Sequence, residues 1–402
     1  MSYERVPMRH VVTLNPSRSE ARNLSPDTEV SFLPMEAIGF YGPVDLSRVR
    51  PVSDVISGYT YFSDGDIVFA KVTPCFENGK GAVLQGLTNG CGFGTTELTV
   101  VRPNDPQDAT YLKYVLNEAS FVGYGSGEML GAGGLKRVPD EYVLSYNTPW
   151  PAKSYRIAIA AFLDNETGKI DSLIAEQESL IVLLGEKRQA IMSHAVTNDS
   201  ENARLTPAKM AAKFVNGHAF KPEDWGDTGI PIVRIAQLQG AEFDNSFDGD
   251  CPLRCHINDG DLLFSWSATL DSFIWDRGPA YLNQHIFKVS PYEGVDLRFL
   301  YYSLKHHAPL WGDIDAHGST MKHIKRESLS NGIWLPSLEE QQQIAKDLDR
   351  QMKAMDGLQR VADRTIKLLK ERRSALISAA VTGKIDVRNH PAAVAALNVN
   401  KD

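Results

Sequence analysis

The chain has 402 residues and a formal net charge of −8 at pH 7, and 43% of its residues are hydrophobic while 23% are charged. The length is that of two or three domains, and the composition is typical of a globular protein. The negative charge argues against indiscriminate binding to polyanions, because such binding depends mostly on Lys and Arg neutralising phosphates. The N-terminal segment lacks the apolar core of a signal peptide, and four cysteines give no disulfide framework, so we expect a cytoplasmic protein with no membrane span.

Residues 1–150 predict a mixed α/β globule. Val30–Ile38 is its strongest early strand candidate, and Ser63–Pro74 (SDGDIVFAKVTP) predicts an Asp-Gly turn, a short apolar strand and a polar loop. Farther along, Gly131–Val138 (GAGGLKRV) is a glycine-bearing loop that runs into basic residues. The surrounding stretch from Gly123 to Gly134 never completes G-x-G-x-x-G, so it does not predict a dinucleotide or S-adenosylmethionine site.

Residues 151–198 predict a helical arm. Pro151 precedes a shorter helix, and a longer helix follows that ends with Ala-Val-Thr at Ala195–Thr197. Mostly apolar side chains recur there at intervals of three and four, which predicts one face that packs along another helix. The residues of this face are Ile170, Leu173, Gln177, Leu180, Leu184 and Ile191.

Residues 199–335 predict a second globule whose elements follow the order of the first. Asn258–Thr269 (NDGDLLFSWSAT) matches Ser63–Pro74, and His317–Arg326 (HGSTMKHIKR) matches Gly131–Val138. Ile230–Leu238 is its strongest early strand candidate. The two globules differ far more from each other than the arms do, which indicates one task carried out on different targets.

Residues 336–387 repeat the first arm. Aligning Pro151–Thr197 with Pro336–Thr382 without a gap gives 17 identities in 47 positions. Amphipathic helices commonly share an apolar face, but that face does not require the shared polar residues, which are Asp164 and Asp349, Asp171 and Asp356, and Arg188 and Arg373. The chain is therefore an internal repeat of globule and arm, and residues 388–402 predict a flexible tail.

The sequence lacks the common catalytic motifs. It has no G-x-x-x-x-G-K-[ST], no H-E-x-x-H and no G-x-S-x-G, and we predict no catalytic residue. Cys251 and Cys255, with His256 alongside, leave two interpretations open. They are half of a loosely spaced metal site or, more simply, small buried thiols, and we predict no metal.

The second half carries residues typical of a known family. Gly260–Val289 (GDLLFSWSATLDSFIWDRGPAYLNQHIFKV), the later HGSTMKHIKRESLSNGIWLPSLEEQQQIAKDLD and the closing AAVTGKIDV resemble the specificity subunit of type I restriction-modification systems. The resemblance covers nearly the whole chain. It is weaker in the first half, where GTTEL at Gly94–Leu98 stands in the place of LNQHI and the arm begins PAKSYRIAIAAFLD instead of with the usual Leu-Glu-Glu-Gln.

The resemblance implies an α/β (α+β) fold with two target-recognition domains, separated by two long antiparallel helices that form coiled-coil arms and related by an internal pseudo-two-fold repeat. It also implies that this chain does no chemistry and binds no cofactor. Two modification subunits would supply S-adenosylmethionine and the adenine methyltransferase site, and restriction subunits joined through them would use ATP and magnesium. Each recognition domain would read one half of a bipartite, asymmetric site on double-stranded DNA. A predicted arm from about Lys169 to Thr197 spans roughly 40 Å, close to the ~34–36 Å of one turn of B-DNA.

Base reading requires polar side chains on loops, with cations nearby that fix the register on phosphates. In the first globule the candidate DNA-binding residues are Lys71, Thr73, Asn78, Lys80, Lys136 and Arg137. In the second they are Ser265, Ser267, Thr269, Ser319, Lys322, His323 and Lys325. The exposed polar face of the second arm, at Gln341 and Gln342, is the candidate surface for the modification subunits.

Two other classes of function stay open from the sequence alone. A self-contained methyltransferase or nuclease would need intact cofactor or metal motifs, and the sequence lacks them. A duplicated coiled-coil adaptor would bind only proteins, and in that case Lys136 and Lys322 would not affect DNA retention. Because partner subunits can share the neutralisation of phosphates, we expect the isolated acidic chain to bind DNA weakly.

Overall fold

The computed structural model describes residues 3–40, 42, 44–132, 134–197, 203–315 and 323–399. Contacts divide the chain into two compact units. Unit 1 comprises residues 1–177 and 364–402, and unit 2 comprises residues 178–363. Among the described helices, none combines the length and apolar content needed to cross a bilayer.

Unit 1 contains short strands that form two four-stranded sheets and two ribbons. The strands are β1 (Arg5–Pro7), β2 (Val12–Leu14), β3 (Glu29–Leu33), β4 (Val49–Pro51), β5 (Thr60–Ser63), β6 (Ile67–Ala70), β7 (Gly81–Val83), β8 (Cys91–Gly94), β9 (Leu98–Pro103), β10 (Leu130–Ala132), β11 (Leu135–Arg137) and β12 (Asn147–Pro149). The sheets have the orders β2-β9-β6-β7 and β4-β3-β8-β5, and β1 pairs with β12 while β10 pairs with β11. Only the β3–β8 pair among these is parallel.

The helices of the first globule are short and the arm that follows is long. They are α1 (Val52–Val55), α2 (Ala109–Leu116), α3 (Ala119–Gly127), α4 (Asp140–Ser145) and the arm helix α5 (Lys153–Thr197). Single 3-10 turns lie at Met8–His10, Glu20–Asn23, Met35–Ala37, Thr88–Gly90 and Pro106–Asp108. The arm is one continuous helix, so the predicted break between a shorter and a longer helix after Pro151 is wrong.

Unit 2 repeats the strand order of unit 1. Its strands are β13 (Arg204–Pro207), β14 (Ala212–Asn216), β15 (Ile230–Val233), β16 (Ser246–Phe247), β17 (His256–Ile257), β18 (Leu262–Ser265), β19 (Asp271–Ile274), β20 (Ala280–Leu282), β21 (Ile286–Pro291) and β22 (Gly332–Leu335). The sheets have the orders β14-β21-β18-β19 and β16-β15-β20-β17, and β13 pairs with β22. The parallel pair β15–β20 stands where β3–β8 stands in unit 1.

The remaining helices are α6 (Ala208–Ala211), α7 (Ile235–Leu238), α8 (Leu297–Asp315), the second arm helix α9 (Leu338–Val381) and α10 (Pro391–Val399). Further 3-10 turns lie at Pro222–Asp224, Leu253–Cys255 and Arg326–Ser330. Both sheets, and the ribbon that leads into the arm, recur in both units in the same order. The predicted mixed α/β fold with two long helices and an internal repeat is confirmed.

The core of unit 1 joins distant parts of the chain. Met8 at the first 3-10 turn, Phe121 of α3 and Leu163 of α5 share one buried cluster with Ile377 and Val381 of α9. Burying these side chains removes a large apolar area from water, which is the main favourable term in folding. The end of the second arm is therefore part of the first unit.

Two equivalent ion pairs join the arm helices, one within each unit. In unit 1 Arg373 Nε lies 2.9 Å from Asp171 Oδ1, and in unit 2 Arg188 Nη2 lies 2.7 Å from Asp356 Oδ1. These are the polar residues that the two arms share in sequence, and each pair takes one residue from each copy. In unit 2, Met192 and Val196 follow Arg188 on α5, and they pack in one buried cluster with residues of α9 that precede Asp356. The two helices therefore run antiparallel.

A third shared residue fastens each globule to its arm. The hydroxyl of Tyr114 on α2 donates to Asp164 Oδ1 at 2.7 Å, and the hydroxyl of Tyr302 on α8 donates to Asp349 Oδ1 at 2.6 Å. Burial and the neighbouring carboxylate raise the pKa of both tyrosines, so both stay protonated and able to donate.

The C-terminal segment is a packed helix over part of its length. Ala393 of α10 is fully buried in the core of unit 1, and the His390 ring lies 4.9 Å from the ring of Phe162 on α5. The second arm has Asp347 where the first has Phe162, so the first arm offers an apolar surface that α10 covers. The predicted flexible tail is therefore wrong for residues 391–399.

Candidate nucleic-acid interface

In unit 1 the structure brings the polar loop after β6 together with the glycine-bearing loop. Thr73 N donates to Lys136 O at 3.0 Å, and Val138 N donates to Lys71 O at 2.9 Å. Val72 forms an antiparallel bridge with Arg137. Four of the six predicted residues, Lys71, Thr73, Lys136 and Arg137, thus lie in one cluster at the edge of the globule.

The glycine-bearing loop is a tight hairpin, β10–β11. A Cβ at Gly131 would lie 2.3 Å from the carbonyl oxygen of Leu135, and Gly134 has a φ of +83°, so both positions require glycine. The hairpin exposes two apolar side chains, Leu130 at 70% and Leu135 at 56%. Neither leucine was among the predicted site residues, although both stand beside the glycines of the predicted loop.

Three of the six predicted side chains are held by contacts within the chain. Arg137 donates two hydrogen bonds to Glu97, at 2.8 and 2.7 Å, and these bonds lower the pKa of the Glu97 carboxyl. Lys80 Nζ donates to Met35 O at 2.7 Å, and Thr73 Oγ1 donates to Glu77 Oε1 at 3.1 Å. Lys136 and Asn78 are exposed, and Lys71 is partly exposed.

Unit 2 builds the corresponding cluster in the same way. Ser267 forms an antiparallel bridge with His323, and Ile324 N donates to Trp266 O at 2.8 Å. These contacts match the Val72–Arg137 bridge and the Val138–Lys71 hydrogen bond of unit 1. Lys325 is exposed, and Thr269 Oγ1 accepts a hydrogen bond from Gln239 Nε2 at 3.0 Å.

Three other predicted residues of unit 2 do not lie in this cluster as described. Ser265 is fully buried at the end of β18 and donates to Ser267 O at 3.3 Å, so the prediction that it reads a base is wrong in this structure. Ser319 and Lys322 lie outside the described residues.

The arm also corrects one prediction. Gln341 is buried at 1% exposure, where its amide nitrogen donates to Pro336 O at 2.8 Å and to Gly294 O at 3.1 Å, and its oxygen accepts from Asp296 N at 2.8 Å. It therefore fastens α9 to the globule and is unavailable to a partner, whereas the neighbouring Gln342 is exposed. Arg156, at the same repeat position of α5, likewise donates to Pro151 O at 2.8 Å.

Apolar side chains, rather than glutamines, are the prominent exposed feature of the arm in unit 2. Six of them are between 38% and 64% exposed: Leu180, Val182, Leu183, Leu338, Leu358 and Val361. Leu180 was predicted to lie on the face that packs against the other arm. Close by, an open groove of about 560 Å³ has Arg188, Tyr301 and Lys353 among its lining residues.

The cysteine cluster of unit 2 is buried. Cys251 and Cys255 are both buried thiols, and burial together with the neighbouring Cys255 raises the pKa of Cys251 to about 12. His256 Nε2 lies 2.9 Å from Cys251 O. Within the described ranges, no group of three or more His, Cys, Asp or Glu side chains is arranged to hold a metal ion.

The topology and the clusters together define the class of the molecule. It is a tandem duplication of one α/β domain, in which each copy presents a polar loop cluster at its edge and is followed by a long helix.

A family model described as the type I restriction modification DNA specificity domain matches residues 211–372, from the end of α6 into α9. The type I restriction enzyme EcoEI specificity subunit of Escherichia coli is 33% identical over 204 residues, which cover 50% of this chain and 33% of that relative. The EcoAI specificity subunit of Escherichia coli is 36% identical over 179 residues, which cover 44% of this chain and 30% of that relative. The matched segments thus span about a third of the length of these relatives.

Solved structures share the fold over almost the whole chain. A chain from a structure of complex assembly and conformational transition of the type I R-M system superposes with a TM-score of 0.77 at 17% identity, covering 96% of this chain and 98% of that one. The HsdS subunit from Thermoanaerobacter tengcongensis gives a TM-score of 0.54 at 17% identity, covering 96% and 97%. Residues 211–372 match the model of this specificity domain, and the predicted resemblance to type I specificity subunits is confirmed.

Proposed function

We propose that this chain is the DNA-recognition and scaffold subunit of a type I restriction-modification complex and is not itself an enzyme. Each globule reads one half of a bipartite, asymmetric site on double-stranded DNA. The arms set the spacing between the halves and bind two modification subunits, through which restriction subunits join. S-adenosylmethionine, ATP and magnesium belong to those partners.

The observation that carries this proposal is the pair of equivalent loop clusters. The same backbone pairing holds Val72 beside Arg137 in unit 1 and Ser267 beside His323 in unit 2. The scaffold is constant while the side chains on it differ, which is what two different half-sites require. The DNA specificity domain matched over residues 211–372 supports the same function.

The exposed apolar side chains of the arm support the scaffold function. Exposed apolar surface commonly marks a protein interface, and α5 and α9 in unit 2 expose six large aliphatic side chains. Two packed helices bury one face of each, and helices of a partner can cover the remaining apolar surface.

The test is methylome sequencing of a host that expresses this chain with its neighbouring modification subunit. We expect adenine methylation at a two-part motif. Replacing residues 208–331, between the first strand and the last strand of the second globule, with the same segment of a relative should change one half of the motif and leave the other unchanged.

Two results would contradict the proposal. A complex that assembles without chain-dependent methylation would favour an adaptor that binds only proteins. A swap that changes both halves, or neither, would show that the globules do not read separate half-sites.

A further inference from the structure

The hairpin β10–β11 presents its leucines in an unusual way. Leu130 and Leu135 are 70% and 56% exposed, while Met129 and Val138, the apolar residues that flank the hairpin, are buried. The globule therefore anchors both ends of the hairpin and leaves the leucines between them in water. Exposing large apolar side chains is unfavourable, so a ligand that covers them gains free energy.

The register of the hairpin places both leucines on one face. Leu130 pairs with Arg137 and Ala132 pairs with Leu135. Cross-strand partners share a face, as do residues two apart along a strand. Lys136 pairs with Gly131 and lies on the opposite face.

The charges around the hairpin suit a duplex. The guanidinium of Arg137 is bound by Glu97, which leaves the exposed Lys136 and the partly exposed Lys71 as the cations of the cluster. Lysines beside an apolar tip can contact phosphates on the rim of a groove while the tip reaches the bases. This combination favours DNA over an apolar protein surface.

The width of the hairpin matches the major groove of DNA better than the minor groove. Two strands lie about 4.8 Å apart, and with side chains a two-stranded ribbon is roughly 10 Å wide. The major groove, about 12 Å wide, admits such a ribbon in undeformed B-DNA, whereas the minor groove, about 6 Å wide, admits one only when the duplex is deformed. In the major groove the apolar group on a base edge is the 5-methyl of thymine.

We infer that the hairpin β10–β11 enters the major groove of the half-site read by unit 1, and that Leu130 and Leu135 recognise thymine through its 5-methyl group. This inference rests on the proposed function and adds a base preference to it. Lys71 and Lys136 hold the hairpin in register on the backbone, and the Arg137–Glu97 pair fixes its angle.

The experiment removes one methyl group at a time from the DNA. The complex with modification subunits is titrated with its target duplex, and each thymine of both half-sites is replaced in turn by deoxyuridine, with dissociation constants measured by fluorescence anisotropy. For the wild type we expect about fourfold weaker binding per contacted methyl, at one or two thymines of the half-site assigned to unit 1 by domain swaps.

Variants of the hairpin test whether the leucines make the contact with the methyl group. In a complex with Leu130→Ala and Leu135→Ala, deoxyuridine at those positions should have no further effect, because the contact is already lost. Leu253→Ala, which alters an 85% exposed leucine of unit 2, is the matched control and should keep the wild-type response. Because all three leucines are exposed, we expect unchanged thermal unfolding.

Several outcomes would overturn the inference. These are a half-site without thymine, a wild-type complex that does not respond to deoxyuridine there, a response that persists in the double variant, and a double variant that no longer binds the modification subunits. Failure of the proposed function is distinguishable, since the wild-type complex would then not prefer its target over unrelated DNA.

Discussion

Arg156 and Asp108 form a buried ion pair in unit 1. The guanidinium Nε and Nη2 donate to the two carboxylate oxygens at 2.7 and 3.0 Å, and both side chains are at most 9% exposed. At the same position the second copy has the neutral Gln341, whose side chain forms hydrogen bonds to backbone groups. The two copies thus use different chemistry to fasten an arm to its globule.

This difference predicts the effect of replacing Arg156 by glutamine. Arg156→Gln should destabilise unit 1 by about 3–5 kcal/mol, because Asp108 stays buried without its charged partner. Lys153→Gln is the matched control, since Lys153 and Asp105 form an exposed pair worth less than about 1 kcal/mol. Urea unfolding of the full chain measures both, and equal effects would contradict this assignment.

Two adjacent histidines of α8 give a pH dependence. Burial lowers the pKa of both His306 and His307, whose rings lie 4.8 Å apart. In the unfolded chain they titrate near about 6.5, so between that value and the lower folded pKa the unfolded state binds more protons. Their contribution to stability is present above the unfolded pKa and is lost as the pH falls through the folded pKa.

The measurement compares thermal unfolding at about pH 7.5 and about pH 5.5, on either side of the unfolded pKa. His306→Gln should lose less stability on acidification than the wild type does. The variant of an exposed histidine, His10→Gln, should keep the wild-type difference. An unchanged pH dependence in His306→Gln would show that burial of this imidazole does not shape the stability of unit 2.

Single side chains were the least predictable part of the candidate site. The polar loops could be located from Asp-Gly turns and glycines, because these residues control the backbone locally. Whether Ser265 faces a base or the core depends on the sheet face on which it lies, and whether Arg137 is available depends on Glu97, which is distant in sequence. Neither relation follows from spacing.

The arm helices show what periodicity can and cannot determine. Helix type followed from the repeated apolar stripe, and the shared Asp and Arg residues correctly indicated a common structural task. The stripe is broader than the surface that one neighbouring helix covers, so it did not reveal which leucines stay exposed. Leu173 was expected to be packed and is 45% exposed.

The exposed apolar residues of the arm predict where the modification subunit binds. Leu183 and Val361 each lie five residues from the Arg188–Asp356 ion pair, on opposite helices and at the same level, because the helices are antiparallel. Replacing both by Gln should weaken binding of the modification subunit about tenfold or more, with unchanged unfolding, as expected for central interface residues. Isothermal titration with the purified modification subunit measures the loss.

The control for the arm variant is Leu253→Gln, which removes an exposed leucine outside the arms. It should leave the affinity for the modification subunit unchanged. If the arm variant binds as the wild type does, the partner uses a different surface.

For the whole molecule, the repeat was the most informative feature of the sequence. Comparing the two halves predicted two globules whose elements follow each other in the same order. The corresponding sheets of the two units do have the same strand order. The strand pairing within each globule was not predictable, because the strands are short and several pairs join segments far apart in sequence.

The net charge of the chain predicts how strongly it binds DNA without its partners. The isolated chain, at −8, should bind its target duplex at least about 100-fold more weakly than the assembled complex does, and its affinity should depend less steeply on salt. Fluorescence anisotropy at several salt concentrations measures both quantities. Tight, sequence-specific binding by the isolated chain would show that the partners are not needed to neutralise the phosphates.

The shared core of unit 1 also sets an order of events during synthesis. The buried cluster that contains Met8 and Leu163 is complete only after Val381 has been synthesised. Unit 2, in contrast, is one continuous segment of the chain, residues 178–363. A ribosome adding roughly 5 to 20 residues per second needs on the order of 10 to 40 s to translate that stretch. Unit 2 can therefore fold before unit 1. A nascent chain that stalls before Ile377 would expose the incomplete apolar core of unit 1, to which chaperones can bind.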